Sequence, residues 1–238
     1  MKKPLLFIPL LLLILSCNNH KATSAAEEIK AESLKMMNKL IGSFVGDFGG
    51  NKITLLIIKA QNDTILGRSV VGGNDRPFSG TLIEKDGAWL ITAKEPGDNP
   101  DDGVFDFSIP TTNPDLLTGS WKPYDEKKAT KDFSLQRKKF IYKVDVGQYP
   151  EASQRELKPG DVENMMKDEL ALMRNEIFAR HGYCFRRRDT RDQFEYMEWY
   201  IPDNVDVRDK LTDIEKKNLA LIKRYEKYAE DYGDDYGR

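Results

Sequence analysis

Cysteine and histidine are almost absent from this chain, which carries two of each in 238 residues. Cys17 and Cys184 cannot build a disulfide framework. His20 and His181 added to them make a poor zinc set, because Cys17 sits at the end of an apolar leader-like run and one thiol is left. Charge of one sign is lacking too. The formal net charge is −2, so no basic excess argues for nucleic acid as a partner. Long apolar runs are missing except at one place, Leu5 to Leu15, and that run is shorter than the roughly 20 residues of a spanning helix. No paired carboxylates and no activated nucleophile stand at usable spacing. The expectation is a chain without catalytic residues, metal or cofactor, and therefore not an enzyme.

The short apolar run is informative in itself. Lys2 and Lys3 precede it and the small Ser16 follows it, which are the marks of a secretory signal. The stretch Leu13-Ile14-Leu15-Ser16-Cys17 resembles the lipobox of bacterial lipoprotein precursors. That resemblance implies removal of residues 1–16, diacylation of the Cys17 thiol with palmitate-type chains, and acylation of the new amino terminus. Each buried methylene contributes about 0.8 kcal/mol, so two or three chains anchor a protein where one does not. Asn18 and Asn19 follow, without the aspartate that retains many lipoproteins at the inner membrane, so the resemblance favours the outer membrane. With Cys17 acylated, Cys184 is the one free thiol, no intramolecular disulfide forms, and packed cores must supply stability.

The remainder divides by pattern. Residues 17–42 read as anchor, polar spacer and short helix, with Ile29, Leu34, Met37, Leu40 and Ile41 at helical spacing and Gly42 as terminator. Residues 43–148 read as β. Trp89, Ile91 and Ala93 form one alternating face, Phe105, Phe107 and Ile109 another, and Phe133 and Leu135 a third, while Leu117 and Trp121 mark a further strand. Ile53 to Ile58 reads as one apolar run, which predicts a strand buried on both sides. Turn signals at Asn62-Asp63, Gly72-Gly73, Asp86-Gly87, Pro96-Gly97 and Asn113-Pro114 separate about eight short strands. An antiparallel barrel is the economical solution, because closure removes exposed edges. In its meander pattern and its opening Gly46-Asp47-Phe48 strand, this stretch is similar to lipocalin-like small barrels. Gly67 and Gly80 on inward rows mark either tight packing or room for one small ligand. Residues 149–230 read as helical. Asp161 is expected to cap a helix running to about Arg180, a shorter helix begins near Asp189, and Thr212 with Glu215 makes a capping box for the last one. Residues 231–238 form an acidic tail. The predicted class is α+β, a small antiparallel barrel followed by a compact all-helical unit.

Met173 to Gly182 reads Met-Arg-Asn-Glu-Ile-Phe-Ala-Arg-His-Gly, which resembles the signature of the YARHG domain, a family of bacterial extracytoplasmic modules. Phe185, Phe194, Trp199-Tyr200 and the Leu211-Thr212-x-x-Glu215-x-x-Asn218 segment extend the match, and Ser153, Arg155 and Leu157 resemble its lead-in. The resemblance spans about residues 150–228 and departs at Phe178, where the naming tyrosine stands. It implies an exported or anchored module and no established reaction.

Arg174, Asn175, Glu176, Arg180 and His181 gather polar chemistry at one helix end. Two readings stand. The arginines grip an anionic group with help from their neighbours, or the set is a network locking this helix to the Thr212 helix and the Trp199-Tyr200 loop; such networks commonly specify packing, which favours the second. A nucleophile–base pair of Cys184 and His181 lacks an orienting third group. The Arg186-Arg187-Arg188 run reads as a solvated turn or as a contact to anionic polymers or headgroups. The Asp98 to Gly103 loop lacks calcium ligands where Pro100 and Ile109 stand. Together these features predict a lipid-anchored envelope binding or scaffolding module whose partners are the membrane through Cys17 and a cell-wall polymer or another envelope protein. The alternatives are a carrier with a small apolar ligand inside the barrel and an accessory or inhibitor of an envelope hydrolase.

Overall fold

The computed structural model describes residues 37–97 and 99–232. Cys17, the signal, the spacer and most of the first expected helix lie outside these residues, as do Asp98 and the end of the acidic tail. Eight strands follow one another: β1 (Gly42–Asp47), β2 (Lys52–Gln61), β3 (Thr64–Val71), β4 (Asn74–Lys85), β5 (Ala88–Lys94), β6 (Gly103–Pro110), β7 (Leu116–Pro123) and β8 (Lys131–Arg137). Each pairs antiparallel with the next, and β8 returns to β1 through Phe44 opposite Arg137, closing the barrel. The hairpin turns have a local cause. Asn62, Asp63, Asp86 and Gly87 all hold positive φ, the backbone that tight right-twisting hairpins need.

Period-two alternation sends one row of every strand inward. Phe44, Ile53, Leu55, Trp89, Phe105 and Leu135 are among the buried core side chains, and Leu40, from just before β1, joins them to plug one end. Arg137 ties that plug down, donating from Nη1 to the Ile41 carbonyl at 2.9 Å. The glycines on inward rows leave no space. A Cβ at Gly67 would lie 2.3 Å from the Phe78 ring, and one at Gly80 would lie 2.0 Å from the Thr92 carbonyl oxygen. Both permit close packing. Around Gly67 and Gly80 the interior is therefore filled by side chains and close backbone, and these glycines leave no space there for a ligand.

The Ile53–Ile58 run is buried on both faces as its composition predicts only in its first half, where Ile53, Thr54 and Leu55 are all buried and Leu56 is half-buried. Thr54 interrupts it, and a bulge between Ile57 and Lys59 turns Ile58 out, leaving it 56% exposed. Burial on the outer face has a different source. Val45, Thr54 and Val70, neighbours on β1, β2 and β3, are covered where Lys52 and Arg68 of the same strands reach the helical region.

That region comprises α1 (Glu151–Gln154), α2 (Lys167–Arg180), α3 (Arg188–Phe194) and α4 (Asp213–Tyr232), with 3-10 turns at Pro159–Asp161 and Arg208–Lys210. Asp161 does not cap α2. Its carboxylate is held by Arg155 at 2.8 and 2.9 Å and by the Lys158 N–H at 2.7 Å. The helix starts only at Lys167, where Glu169 accepts the Met166 N–H. Thr212 and Glu215 do form the expected capping box, exchanging bonds of 2.9 and 3.2 Å. Leu170, Met173 and Ile177 of α2 meet Leu219 and Ile222 of α4 in one core, while Phe185, Phe194 and Tyr200 pack in a second.

Candidate functional site

The residues singled out on α2 separate into two sets. Glu176, Arg180 and His181 are 3%, 2% and 4% exposed. The Arg180 guanidinium donates to the Val146 carbonyl (2.9 Å), Ser153 Oγ (3.1 Å), the Tyr149 carbonyl (2.8 Å) and Glu176 Oε2 (2.9 Å). Glu176 in turn accepts the N–H groups of Gln148 (2.6 Å) and Tyr149 (2.8 Å). Four of its five N–H donors are thus taken by the protein itself, and its burial keeps the group from a ligand in solvent.

The network continues into α4. His181 Nε2 and Glu215 Oε2 are 2.7 Å apart, and the imidazole stacks on Tyr142 with centroids 4.4 Å apart. Glu215 Oε1 accepts from Ser153 Oγ at 2.7 Å and from the Tyr142 hydroxyl at 3.0 Å. Burial alone would push the Glu215 carboxyl up, but His181, the Thr212 N–H and Ser153 outweigh it and hold the pKa below the usual glutamate range. Burial, with the Glu215 charge adding, pushes the Tyr142 hydroxyl up to about 12. Asn218 completes the lock, donating to the Ala152 and Arg155 carbonyls and accepting the Leu157 N–H. Segment 146–157 is thereby fastened to α2 and α4. The partner of this network is that segment rather than the Trp199-Tyr200 loop, since the Tyr200 hydroxyl donates instead to the Tyr183 carbonyl. Ser153, Glu215 and His181 also fail as a catalytic triad, because the acid lies between the other two and the serine does not touch the imidazole.

Arg174 and Asn175 face elsewhere. They line an open groove of about 710 Å³ with Phe178, Tyr183, Arg186, Arg187, Arg208 and Lys223. Arg174 pairs with Glu226 at 2.8 Å, Arg187 with Asp189, and Arg208 with Asp206. After pairing, Arg186 and Lys223 have no carboxylate within 4 Å among the described residues. Val205, Val207 and Leu211 add apolar surface to this groove. Its contributions from Arg208 and Lys223 escape sequence reasoning, because they sit 34 and 49 residues beyond Arg174 with no spacing rule to join them. The basic run Arg186-Arg187-Arg188 is partly absorbed here, and Arg188 lies 3.7 Å from Asp192.

Residues 147–227 match the model of the YARHG domain. No curated protein and no solved structure matches the chain. The YARHG match coincides with the buried lock: Ser153, Glu176, Arg180, His181, Glu215 and Asn218 all fall in it. The departure at Phe178 is accommodated because that ring is outside the network, half-buried in the groove wall and 6.0 Å from Tyr183.

Cys184 is not a nucleophile partner of His181. Its Sγ accepts the Gly73 N–H at 3.1 Å, across the seam between barrel and helices, and burial pushes its pKa up to about 11. Lys52 crosses the same seam to the Met197 and Tyr200 carbonyls at 2.7 and 3.1 Å, and Arg68 to the Asp203 carbonyl at 2.8 Å. In the Asp98–Gly103 loop, Asp101 is paired with Lys128 and Asp102 with Arg76. Among the described residues no His, Cys, Asp and Glu cluster suits a metal ion, and no helix is long and apolar enough to cross a membrane.

Proposed function

We propose that this protein is an exported binding module, anchored to the membrane through lipid on Cys17, whose YARHG region grips an anionic partner of the cell envelope. The observation that carries the reading is the division within the motif. Its buried residues fix the fold, and Arg174 and Asn175 lie instead in a groove with Arg186 and Lys223, which have no carboxylate within 4 Å among the described residues. Forked guanidinium donors suit carboxylates and phosphates, the groups of anionic wall polymers and headgroups. Tethering by two or three acyl chains keeps such a module beside an immobile polymer, where even weak contacts are repeated. No chemistry beyond binding is needed. A membrane-proximal polymer is favoured over a protein partner by the excess of positive charge in the groove.

Purified sacculi test this reading. The chain from Asn18 onward should be retained at low salt and released as salt rises, since screening shortens the range of surface charge interactions to about 8 Å at physiological ionic strength. Absence of retention at low salt would contradict it. The anchor is tested separately: Cys17→Ala should move the protein from the membrane to the soluble fraction.

A further inference from the structure

The barrel is filled, yet one end of it opens. There, between the Phe48–Asn51 and Gly72-Gly73 turns and the loop after β5, lies a cavity of about 580 Å³ closed on its far side by Arg191 of α3. Its apolar wall is Phe48, Val71, Phe105 and Trp121. Glu95 continues the inward row of Trp89, Ile91 and Ala93 and stands at the floor, 5% exposed. Its carboxylate accepts from Ser69 Oγ (2.9 Å), the Gly103 N–H (2.9 Å) and Trp121 Nε1 (3.0 Å). Burial pushes its pKa up against these hydrogen bonds. The bond to Trp121 fixes the indole as part of the wall.

Among the described residues around this mouth the cations are mostly cancelled, Arg76 by Asp102, Lys128 by Asp101 and Arg191 by Glu195. Lys131 is the exception. Its ammonium lies 4.7 Å from the Phe48 ring centroid and 5.4 Å from that of Trp121. No carboxylate stands within 4 Å of it among the described residues. Burial, and then the nearby Lys128, hold its pKa below the usual lysine range. A half-buried cation seated on two rings beside other cations is short of an anion.

We infer that this mouth binds a small organic anion with a flat apolar body, pairing its carboxylate or sulfonate with Lys131 and laying its body along the Val71 and Phe105 wall. The cavity volume lies within the roughly 300–1,000 Å³ of small-molecule sites, and a mostly apolar wall with few charged groups is their usual make-up. Such a ligand would touch both the barrel and Arg191, and so would bridge the seam.

Titration calorimetry on the chain from Asn18 onward, with 2-naphthoate and its neutral isostere 2-naphthamide as probes, tests the inference. Naphthoate should bind saturably and naphthamide at least tenfold more weakly. Lys131→Gln should erase that difference with an unchanged melting temperature. Ala129→Trp, a bulky substitution at an exposed rim position, should block both probes, and Lys223→Gln in the helical groove should change neither. Equal binding of the two probes, naphthoate affinity that survives Lys131→Gln, or no saturable naphthoate binding would each overturn it. Loss of binding in Lys223→Gln would place the anion in the other groove and overturn it equally.

Discussion

At the scale of single residues, Arg180 shows why a sequence motif is not yet a binding site. Its five donors make it the natural candidate for an anion grip, but four acceptors of the protein itself hold it, three of them in segment 146–153. Two of those acceptors are backbone carbonyls, which leave no trace in sequence, so the lock was legible only as a possibility. Lysine at this position keeps the charge and loses the fork. Arg180→Lys is expected to cost about 3 kcal/mol in chemical denaturation, because buried partners are left unmatched. Cys184 gives a second check. With its pKa pushed up to about 11, little thiolate exists at pH 8, so the native thiol should resist iodoacetamide and react once the chain is unfolded. Rapid labelling of the native protein would contradict the seam as described.

Elements were easier to read than their contacts. Alternating rows and the turns at Asn62-Asp63 and Asp86-Gly87 made the eight strands visible, since those side chains and those dihedrals are local properties. Closure followed from the absence of crossover helices. The misreadings are tertiary. Asp161 has the chemistry of a cap, but Arg155 claims it; Thr54 and Val70 are buried on the outer face, beside the strand positions Lys52 and Arg68 that reach the helical region. Glu95 was findable, as the next member of the Trp89, Ile91, Ala93 alternation, and its inward polar group should have marked the barrel mouth. The seam itself is sensitive to one backbone position. Gly73 holds φ +80°, and a Cβ there would sit 2.6 Å from Arg186. Gly73→Ala should therefore destabilise by about 2 kcal/mol, adding left-handed strain to a backbone clash, and should open the Cys184 thiol to labelling. Thr212→Ala, which removes half of the α4 capping box, should cost about 1 kcal/mol.

For the whole molecule, two buried carboxylates bear on the response to acid, with opposite signs. Glu215 has a folded pKa below its ordinary value of 4.5, so its contribution is complete above that value and is lost as pH falls through the lower folded value. Glu95 has the opposite sign. Its folded pKa is raised, so its contribution is present below 4.5 and is lost as pH rises through the raised value. Urea midpoints across pH 3 to 6 should show the Glu215 contribution lost on the acid side, and Glu215→Gln should flatten that limb while lowering the plateau. An unchanged acid limb would mean that the His181–Glu215–Ser153 network does not hold the helices.

The most direct measurement compares retention on purified sacculi at low salt for two variants beside the native sequence. The Arg186→Gln/Lys223→Gln double variant should melt as the native protein does and lose at least tenfold in retention. Arg180→Lys should melt lower and, below its transition, be retained normally. Full retention of the double variant, or loss of binding in a folded Arg180→Lys protein, would contradict the division of the motif into a structural lock and a binding groove.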